Sequence, residues 1–191
     1  MKMYFINSKK IITLCCLLLN IQLIADTELA VLYTGSNPDY KPFDSGYGYT
    51  ISGQYDFENG LFLSGFYDAT DFKASGPEVG SVNVEDWLQT GIGFQFENGY
   101  GHFYSLITYD SISAINHSYD GFGAHFGYLF NLTEKLEGTV QVGYINTGFD
   151  DIQLEGRLNY HLTDSFLITL RLRDYDVWDM TSYGGGFIYR F

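Results

Sequence analysis

The segment SYGGGFIYRF, residues 182–191, separates into two different faces when every second residue is taken. One face is aromatic apart from a single glycine and consists of Tyr183, Gly185, Phe187, Tyr189 and Phe191. The other face carries small residues, one isoleucine and one arginine. Because successive side chains of a β-strand point to opposite sides, this pattern predicts a strand whose bulky side contacts an apolar environment.

The first part of the chain predicts export. Three lysines precede the apolar run 11–19, and Ala25 supplies a small residue before the acidic sequence begins. The run is too short to span a bilayer, so residues 1–25 are predicted to be a cleaved signal peptide rather than a membrane anchor. Lipidation of Cys15 is not expected, because Leu14 occupies the position where a lipoprotein signal needs a small residue.

Composition limits which classes of partner the remaining domain, residues 26–191, can be expected to bind. Loss of the three lysines leaves seven basic residues against 23 acidic ones, a net charge of −16. With no basic patch to neutralise phosphate, we expect no nucleic-acid partner. Both cysteines lie within residues 1–25, so this domain has no disulfides, which is typical of a bacterial envelope protein of its size.

Alternating segments fill this domain, and short turns alternate with longer loops between them. Two short turns are near copies, YDFENGLF at 55–62 and FQFENGYG at 94–101, and both contain the Asn-Gly hairpin signal. The predicted strands are 28–34, 47–57, 61–70, 86–96, 100–110, 119–131, 135–147, 151–162, 166–175 and 181–191. Bacterial single-chain barrels have an even number of strands. The predicted fold is therefore an all-β, antiparallel up-and-down transmembrane β-barrel of ten strands, with eight strands as the alternative.

Charged and aromatic residues indicate which face points outward. The polar faces of the last four strands carry six charged residues that would lie inside the barrel: Glu137, Glu155, Arg157, Arg171, Arg173 and Arg190. The apolar faces place aromatic residues near both strand ends: Tyr47, Tyr109, Phe122, Tyr144 and Tyr183 near the longer loops, and Phe57, Phe96, Phe103, Phe130, Tyr160, Phe166 and Phe191 near the short turns. Aromatic belts favour the two interfaces of a membrane, so we expect the apolar face to contact lipid.

The segment 182–191 resembles the C-terminal signal of Gram-negative outer-membrane β-barrels, in which a terminal aromatic residue follows alternating apolar residues. The matching residues are Tyr183, Phe187, Tyr189 and Phe191. In architecture the resemblance covers the whole domain and is to small barrels of the OmpA-like or porin-like superfamily. It implies an outer-membrane location, contact with lipid and lipopolysaccharide, delivery by periplasmic chaperones to the barrel assembly machinery, and closure of the last strand against the first. It implies no substrate.

The six inward charges allow two interpretations. They are either a salt-bridge ladder that fills the lumen, since buried charges must pair, or a selectivity or gating element for small solutes. We favour the ladder, because barrels of about eight strands are just filled by side chains. Four arginines outnumber two glutamates in this set, so the wall near the C-terminus is expected to be net positive.

The sequence predicts no catalytic, cofactor or metal site. His102, His117, His125 and His161 share no ligand spacing, so they are interpreted as lumen residues, with His117 in an outer loop. Nine aspartates are predicted at the outer rim, solvated or bridged through divalent cations to lipopolysaccharide: Asp68, Asp71, Asp110, Asp120, Asp150, Asp151, Asp174, Asp176 and Asp179. The outer-membrane aspartyl proteases also have acidic rims, but their barrels rise well above the membrane and this chain is too short for that.

The functional expectation is a monomeric outer-membrane barrel with a structural role or a narrow, gated pore for small solutes, and no catalysis. The alternative is a surface interaction or adhesion barrel. Short loops disfavour that alternative, because the longest, between strands 61–70 and 86–96, is little more than what closes the barrel.

Overall fold

Ten antiparallel strands close into a barrel in the computed structural model of the chain, which describes residues 27–38, 45–71, 85–114, 117–148, 150–176 and 179–191. The strands are β1 (Thr27–Pro38), β2 (Gly46–Asp56), β3 (Leu61–Asp71), β4 (Glu85–Glu97), β5 (Gly101–Ala114), β6 (His117–Thr133), β7 (Leu136–Asn146), β8 (Asp150–His161), β9 (Phe166–Tyr175) and β10 (Met180–Arg190). Each strand pairs with its neighbours in sequence, and β1 pairs with β10. The predicted ten-stranded up-and-down barrel is confirmed, and the eight-stranded alternative is wrong. The predicted signal peptide lies outside the described residues.

No helix in the described ranges is long and apolar enough to span a membrane.

Most predicted strand ends agree with the structure to within two residues, but β1 and β5 are each longer by four residues at their C-terminal ends. The extension of β1 has a turn-like composition, Gly-Ser-Asn-Pro, yet Ser36 pairs with both Ser182 of β10 and Gly46 of β2. The extension of β5 pairs in the same way with the start of β6. Pairing with neighbouring strands therefore overrides local sequence preference at this rim.

The two Asn-Gly turns form as predicted at the opposite rim. Gly60 and Gly99 have φ of 83° and 84°, a backbone conformation that favours glycine. The side-chain oxygen of Asn98 accepts hydrogen bonds from the backbone N–H groups of Tyr100 and Gly101, both at 3.1 Å. The rim with these short turns is called the turn rim below, and the other is called the loop rim.

The apolar faces point outward, as predicted, and aromatic side chains gather at both rims. At the turn rim Phe96, Phe103, Tyr128 and Phe130 lie in succession around the wall, with ring centroids 5.5, 4.4 and 5.8 Å apart. At the loop rim Tyr109 contacts Phe122 with centroids 5.9 Å apart. Side chains midway between the rims, such as Leu170 and Ile107, are exposed on the outer surface. The barrel thus has an apolar exterior bounded by two aromatic belts.

The segment 182–191 forms the seam of the barrel. Tyr183, Phe187 and Tyr189 pair with β1 at Gly35, Val31 and Leu29, and their side chains are exposed on the outer face. The backbone N–H of Phe191 donates to the carbonyl of Thr27 at 3.0 Å. The predicted closure of the last strand against the first is confirmed.

Candidate functional site: the barrel lumen

The inward face of β9 shows how the lumen changes from one rim to the other. From the turn rim upward it presents Leu167, Thr169, Arg171, Arg173 and Tyr175, all buried. Every one of these side chains lies between strand neighbours that also face inward, because antiparallel pairing keeps partners on the same side of the sheet. The charged residues therefore lie at mid-height, with an apolar side chain beneath and an aromatic one above.

Arg173 and Glu155 form the most buried ion pair of the lumen. An Arg173 Nη nitrogen lies 2.5 Å from Glu155 Oε2, and Nε donates to the same oxygen at 2.7 Å. The exposed fractions of the two side chains are only 5% and 2%. Arg157 adds a second contact by donating to Glu155 Oε1 at 2.9 Å. One carboxylate thus balances two guanidinium groups.

Arg173 also reaches the opposite side of the lumen. Its guanidinium carbon lies 4.5 Å from the ring centroid of Phe66 on β3 and 5.7 Å from that of Trp87 on β4. β3 is four strands away from β9 around the ring, so these contacts cross the interior rather than following the wall. Cation–π contacts of this kind are stronger where water is excluded.

Arg171 makes a second contact across the lumen. One of its Nη nitrogens donates to the Thr50 hydroxyl of β2 at 2.9 Å and lies 3.4 Å from Asp68 Oδ2 of β3. Asp68 also accepts hydrogen bonds from Thr50 at 2.6 Å and Thr70 at 2.8 Å. The Arg171 Nε is buried without a partner. This ion pair is therefore the looser of the two, and Arg171, Arg173, Asp68, Phe66 and Trp87 are together called the lumen brace.

A separate charged group lies near the turn rim. Arg190 of β10 contacts Glu137 of β7 at 2.5 Å and Glu28 of β1 at 3.1 Å. Glu137 further accepts from the side-chain amide of Asn159 at 2.8 Å and lies 3.0 Å from His161 Nε2. The six charges predicted to share the lumen do face inward, but they form two groups at different heights.

The last four strands carry more inward arginines than glutamates, as predicted, but carboxylates from other strands complete the pairs. Glu28 and Asp68 join Glu137 and Glu155, so four arginines are matched by four carboxylates. The alternation of Glu28 with Leu29 in the first strand is the signal that could have placed Glu28 inward. No such signal exists for Asp68, because Phe62 and Phe66 share its face and the strand has aromatic residues on both sides.

Three of the nine aspartates predicted at the outer rim have side chains that face the lumen. Asp110 and Asp151 are buried, and Asp68 is half-buried. Asp110 accepts from the Trp87 indole N–H at 2.9 Å and from the Gln89 amide at 2.7 Å, and it also accepts from Thr108. The other six are exposed at the loop rim, as predicted: Asp71, Asp120, Asp150, Asp174, Asp176 and Asp179.

The histidines are distributed over β5, β6 and β8. His125 is buried beside Asp110, with Nε2 3.2 Å from the Thr108 hydroxyl and 3.3 Å from the Gln89 amide. His117 begins β6, so its predicted placement in a loop is wrong. His102 lies 3.9 Å from Glu97 at the turn rim. Within the described ranges no three or more His, Cys, Asp or Glu side chains come together in a way that could hold a metal ion.

An apolar patch lies below the lumen brace on the wall that contains the seam. It consists of Ala30, Leu32, Leu167 and Ile188, whose exposed fractions range from 0% to 4%. Ile188 pairs in register with Ala30 on one side and Leu167 on the other. Side chains that face the lumen yet contact no solvent show that the interior is filled at this height.

No family model matches the chain, and no curated protein matches it in sequence. Solved porin and outer-membrane barrel structures are similar to it in fold. The KdgM porin in complex with disordered oligogalacturonate is 12% identical, with a TM-score of 0.49, over 86% of this chain and 99% of the porin. The translocator domain of autotransporter NalP from Neisseria meningitidis is 12% identical, with a TM-score of 0.49, over 96% of this chain and 95% of that domain. OprG from Pseudomonas aeruginosa is 15% identical, with a TM-score of 0.43, over 87% of this chain and 96% of OprG.

Proposed function

We propose that the protein is an integral outer-membrane barrel whose lumen is a narrow passage for small solutes, closed at rest by the lumen brace, with no catalytic role. The contacts of Arg171 and Arg173 with β3 and β4 carry this proposal, because they join opposite walls of the barrel. Barrels of about eight strands are just filled by side chains, and a ten-stranded barrel leaves only slightly more room.

The charge distribution supports a passage that opens rather than a permanently solid core. The Arg171–Asp68 pair has a single contact at 3.4 Å, and Asp68, whose side chain is 15% exposed, lines the cavity above. By contrast, Arg173 and Glu155 make two close contacts, and the Glu155 side chain is only 2% exposed. Opening therefore begins with separation of Arg171 from Asp68, while Arg173 stays attached to its own wall.

Single-channel recording in planar bilayers tests this function. We expect small currents with brief openings from the unmodified protein, and longer openings from Arg171→Gln, because one contact across the lumen is lost. Lys135→Gln removes the same charge from the exposed turn between β6 and β7 and is expected to leave the openings unchanged. Large steady currents from the unmodified protein, or silence from both it and Arg171→Gln, would refute a channel that is closed at rest.

The same proposal includes an outer-membrane location and partners in the cell envelope. The apolar exterior with its two aromatic belts supports insertion into a bilayer, and export by residues 1–25 would bring the chain to the outer membrane. The exposed aspartates of the loop rim are suited to bind divalent cations that bridge to the phosphates of lipopolysaccharide. Tyr183, Phe187, Tyr189 and Phe191 lie together at the seam, where the assembly machinery would recognise the last strand. We propose a monomer, with periplasmic chaperones as transient partners.

A further inference from the structure

A cavity opens at the loop rim directly above the lumen brace. Its lining side chains come from β1, β3, β4, β5, β7, β8, β9 and β10 and from the residue after β7, so it lies on the barrel axis rather than in one wall. Two carboxylates, Asp68 and Asp151, line it together with two aromatic rings, Trp87 and Tyr175. No lysine or arginine is among its described lining residues.

Trp87 and Tyr175, the two aromatic residues of the cavity, contact each other and are fixed by neighbouring side chains. The ring centroids of Trp87 and Tyr175 are 5.5 Å apart. The indole N–H of Trp87 donates to Asp110 at 2.9 Å, and Phe66 packs edge-on against the indole at 5.8 Å. The Tyr175 hydroxyl accepts from Arg173 at 3.3 Å. Each ring is therefore held by a hydrogen bond and by packing against a neighbouring ring.

The two carboxylates lie on opposite walls. Asp68 is on β3 and Asp151 is on β8, five positions apart in the closed ring of ten strands. Asp151 has an exposed fraction of 3%, and the side chain of Asp68 has one of 15%. Six further aspartates are exposed at the same rim, and no lysine or arginine accompanies them among its described residues. The described charges at the cavity mouth are therefore negative, and they concentrate cations and repel anions.

We propose that this cavity binds a small organic cation, with an ammonium group held between the aromatic surface and the carboxylates. Aromatic faces attract ammonium groups, and the attraction grows when the site excludes bulk water. Ile112, Ile145 and Met180 line the same cavity and supply apolar contacts for the carbon atoms of such a solute. An uncharged sugar could hydrogen-bond here but would gain nothing from the negative field. Passage of the bound cation through the barrel rests on the proposed channel function, whereas the binding step does not.

Tryptophan fluorescence can report on this site directly. The chain has two tryptophans, Trp87 and Trp178, so Trp178→Phe leaves Trp87 as the single emitter. Choline is titrated into this protein in detergent, and its uncharged carbon isostere dimethylbutanol is titrated in parallel, with glucose as a neutral sugar. Asp151→Asn removes a carboxylate from the cavity. Asp120→Asn removes the same charge from an exposed position of the same rim and serves as the matched control.

We expect choline to change Trp87 fluorescence saturably, and dimethylbutanol to bind about tenfold more weakly, a factor that lies between the values of one cation–π contact in an exposed and in a desolvated site. Asp151→Asn should weaken choline binding by about the same factor, and Asp120→Asn should leave it within about twofold. Equal binding of choline and dimethylbutanol, a response to glucose alone, or equal effects of the two aspartate variants would overturn the proposal. The comparison of choline with dimethylbutanol needs no cavity variant, so it stays decisive if Asp151→Asn does not fold. Binding without any channel current would refute the proposed channel and leave this site intact.

Discussion

Replacing each brace arginine by glutamine tests whether the lumen is filled or wet. Arg173→Gln removes two close contacts to Glu155 and leaves that carboxylate, which is almost fully buried, with Arg157 as its remaining partner. Breaking a buried pair costs about 3–5 kcal/mol, and Arg157 moderates the loss toward the lower end. Loss of the contact with Phe66 adds about 1 kcal/mol. We expect Arg173→Gln to lower the free energy of unfolding by about 4 kcal/mol.

Arg171→Gln should cost considerably less. Asp68 keeps the hydroxyl groups of Thr50 and Thr70 as donors, and it lines the open cavity, so water can reach it. The lost interactions are one hydrogen bond at 2.9 Å, one ion contact at 3.4 Å and a contact of the guanidinium carbon with the Phe66 ring centroid at 5.3 Å. Together these correspond to about 2 kcal/mol. The predicted difference between the two variants is therefore about 2 kcal/mol, although both carry the same substitution on the same strand.

Urea-induced unfolding in detergent micelles, followed by tryptophan fluorescence, measures both values, with Lys135→Gln as the control for charge removal outside the lumen. Losses below about 1 kcal/mol for both variants would show that water screens these charges, which is the behaviour of a wet pore. Equal large losses would show that Arg171 is as tightly held as Arg173. Either result would refute the assignment of a firm and a loose contact within the brace.

Two further predictions concern the wall itself. Deletion of Phe191 should lower the amount of protein in the outer membrane much more than it lowers the yield of refolding into detergent. The reason is that the Phe191 ring projects outward from the seam, while its N–H contributes only one hydrogen bond. Equal losses in both measurements would contradict a role in assembly. Gly143→Ala should destabilise the barrel by about 1–3 kcal/mol in the same urea titration, because the added methyl group would collide with the buried His125 ring. Gly156→Ala should be nearly neutral, because its methyl group would meet nothing within 4 Å. Similar effects of the two variants would disprove the collision.

The strands with clean alternation are the ones whose inward residues can be predicted from sequence. In β8 and β9 leucine and isoleucine alternate with charged and polar side chains, so the pattern assigns Glu155, Arg157, Arg171 and Arg173 to the lumen correctly. In β3 and β5 both faces contain apolar residues, and the sequence therefore gives no sign that Asp68 and Asp110 face the lumen. Period-two patterns identify a face only when the two faces differ.

The partners across the lumen cannot be predicted from single strands. Neighbour pairing follows from the order of the hairpins, but the meeting of Arg171 with Asp68 depends on the height at which β9 and β3 face each other. That height is fixed by the accumulated stagger of every strand between them, which is a property of the closed barrel. For the same reason the sequence predicts one group of six charges, whereas the barrel separates them into two.

The apolar patch of Ala30, Leu32, Leu167 and Ile188 sets the physical character of any opening. A charged contact that separates is rehydrated immediately, but water is expelled from a narrow passage with apolar walls even when the passage is physically open. Separation of the Arg171–Asp68 contact would thus leave a narrow apolar section at this height, which ions cross only while it is wetted. Larger currents would need the wall itself to widen, and three adjacent strands, β9, β10 and β1, carry the patch. The resistance of this barrel would then respond to lateral tension and bilayer thickness, in the manner of a mechanically sensitive valve.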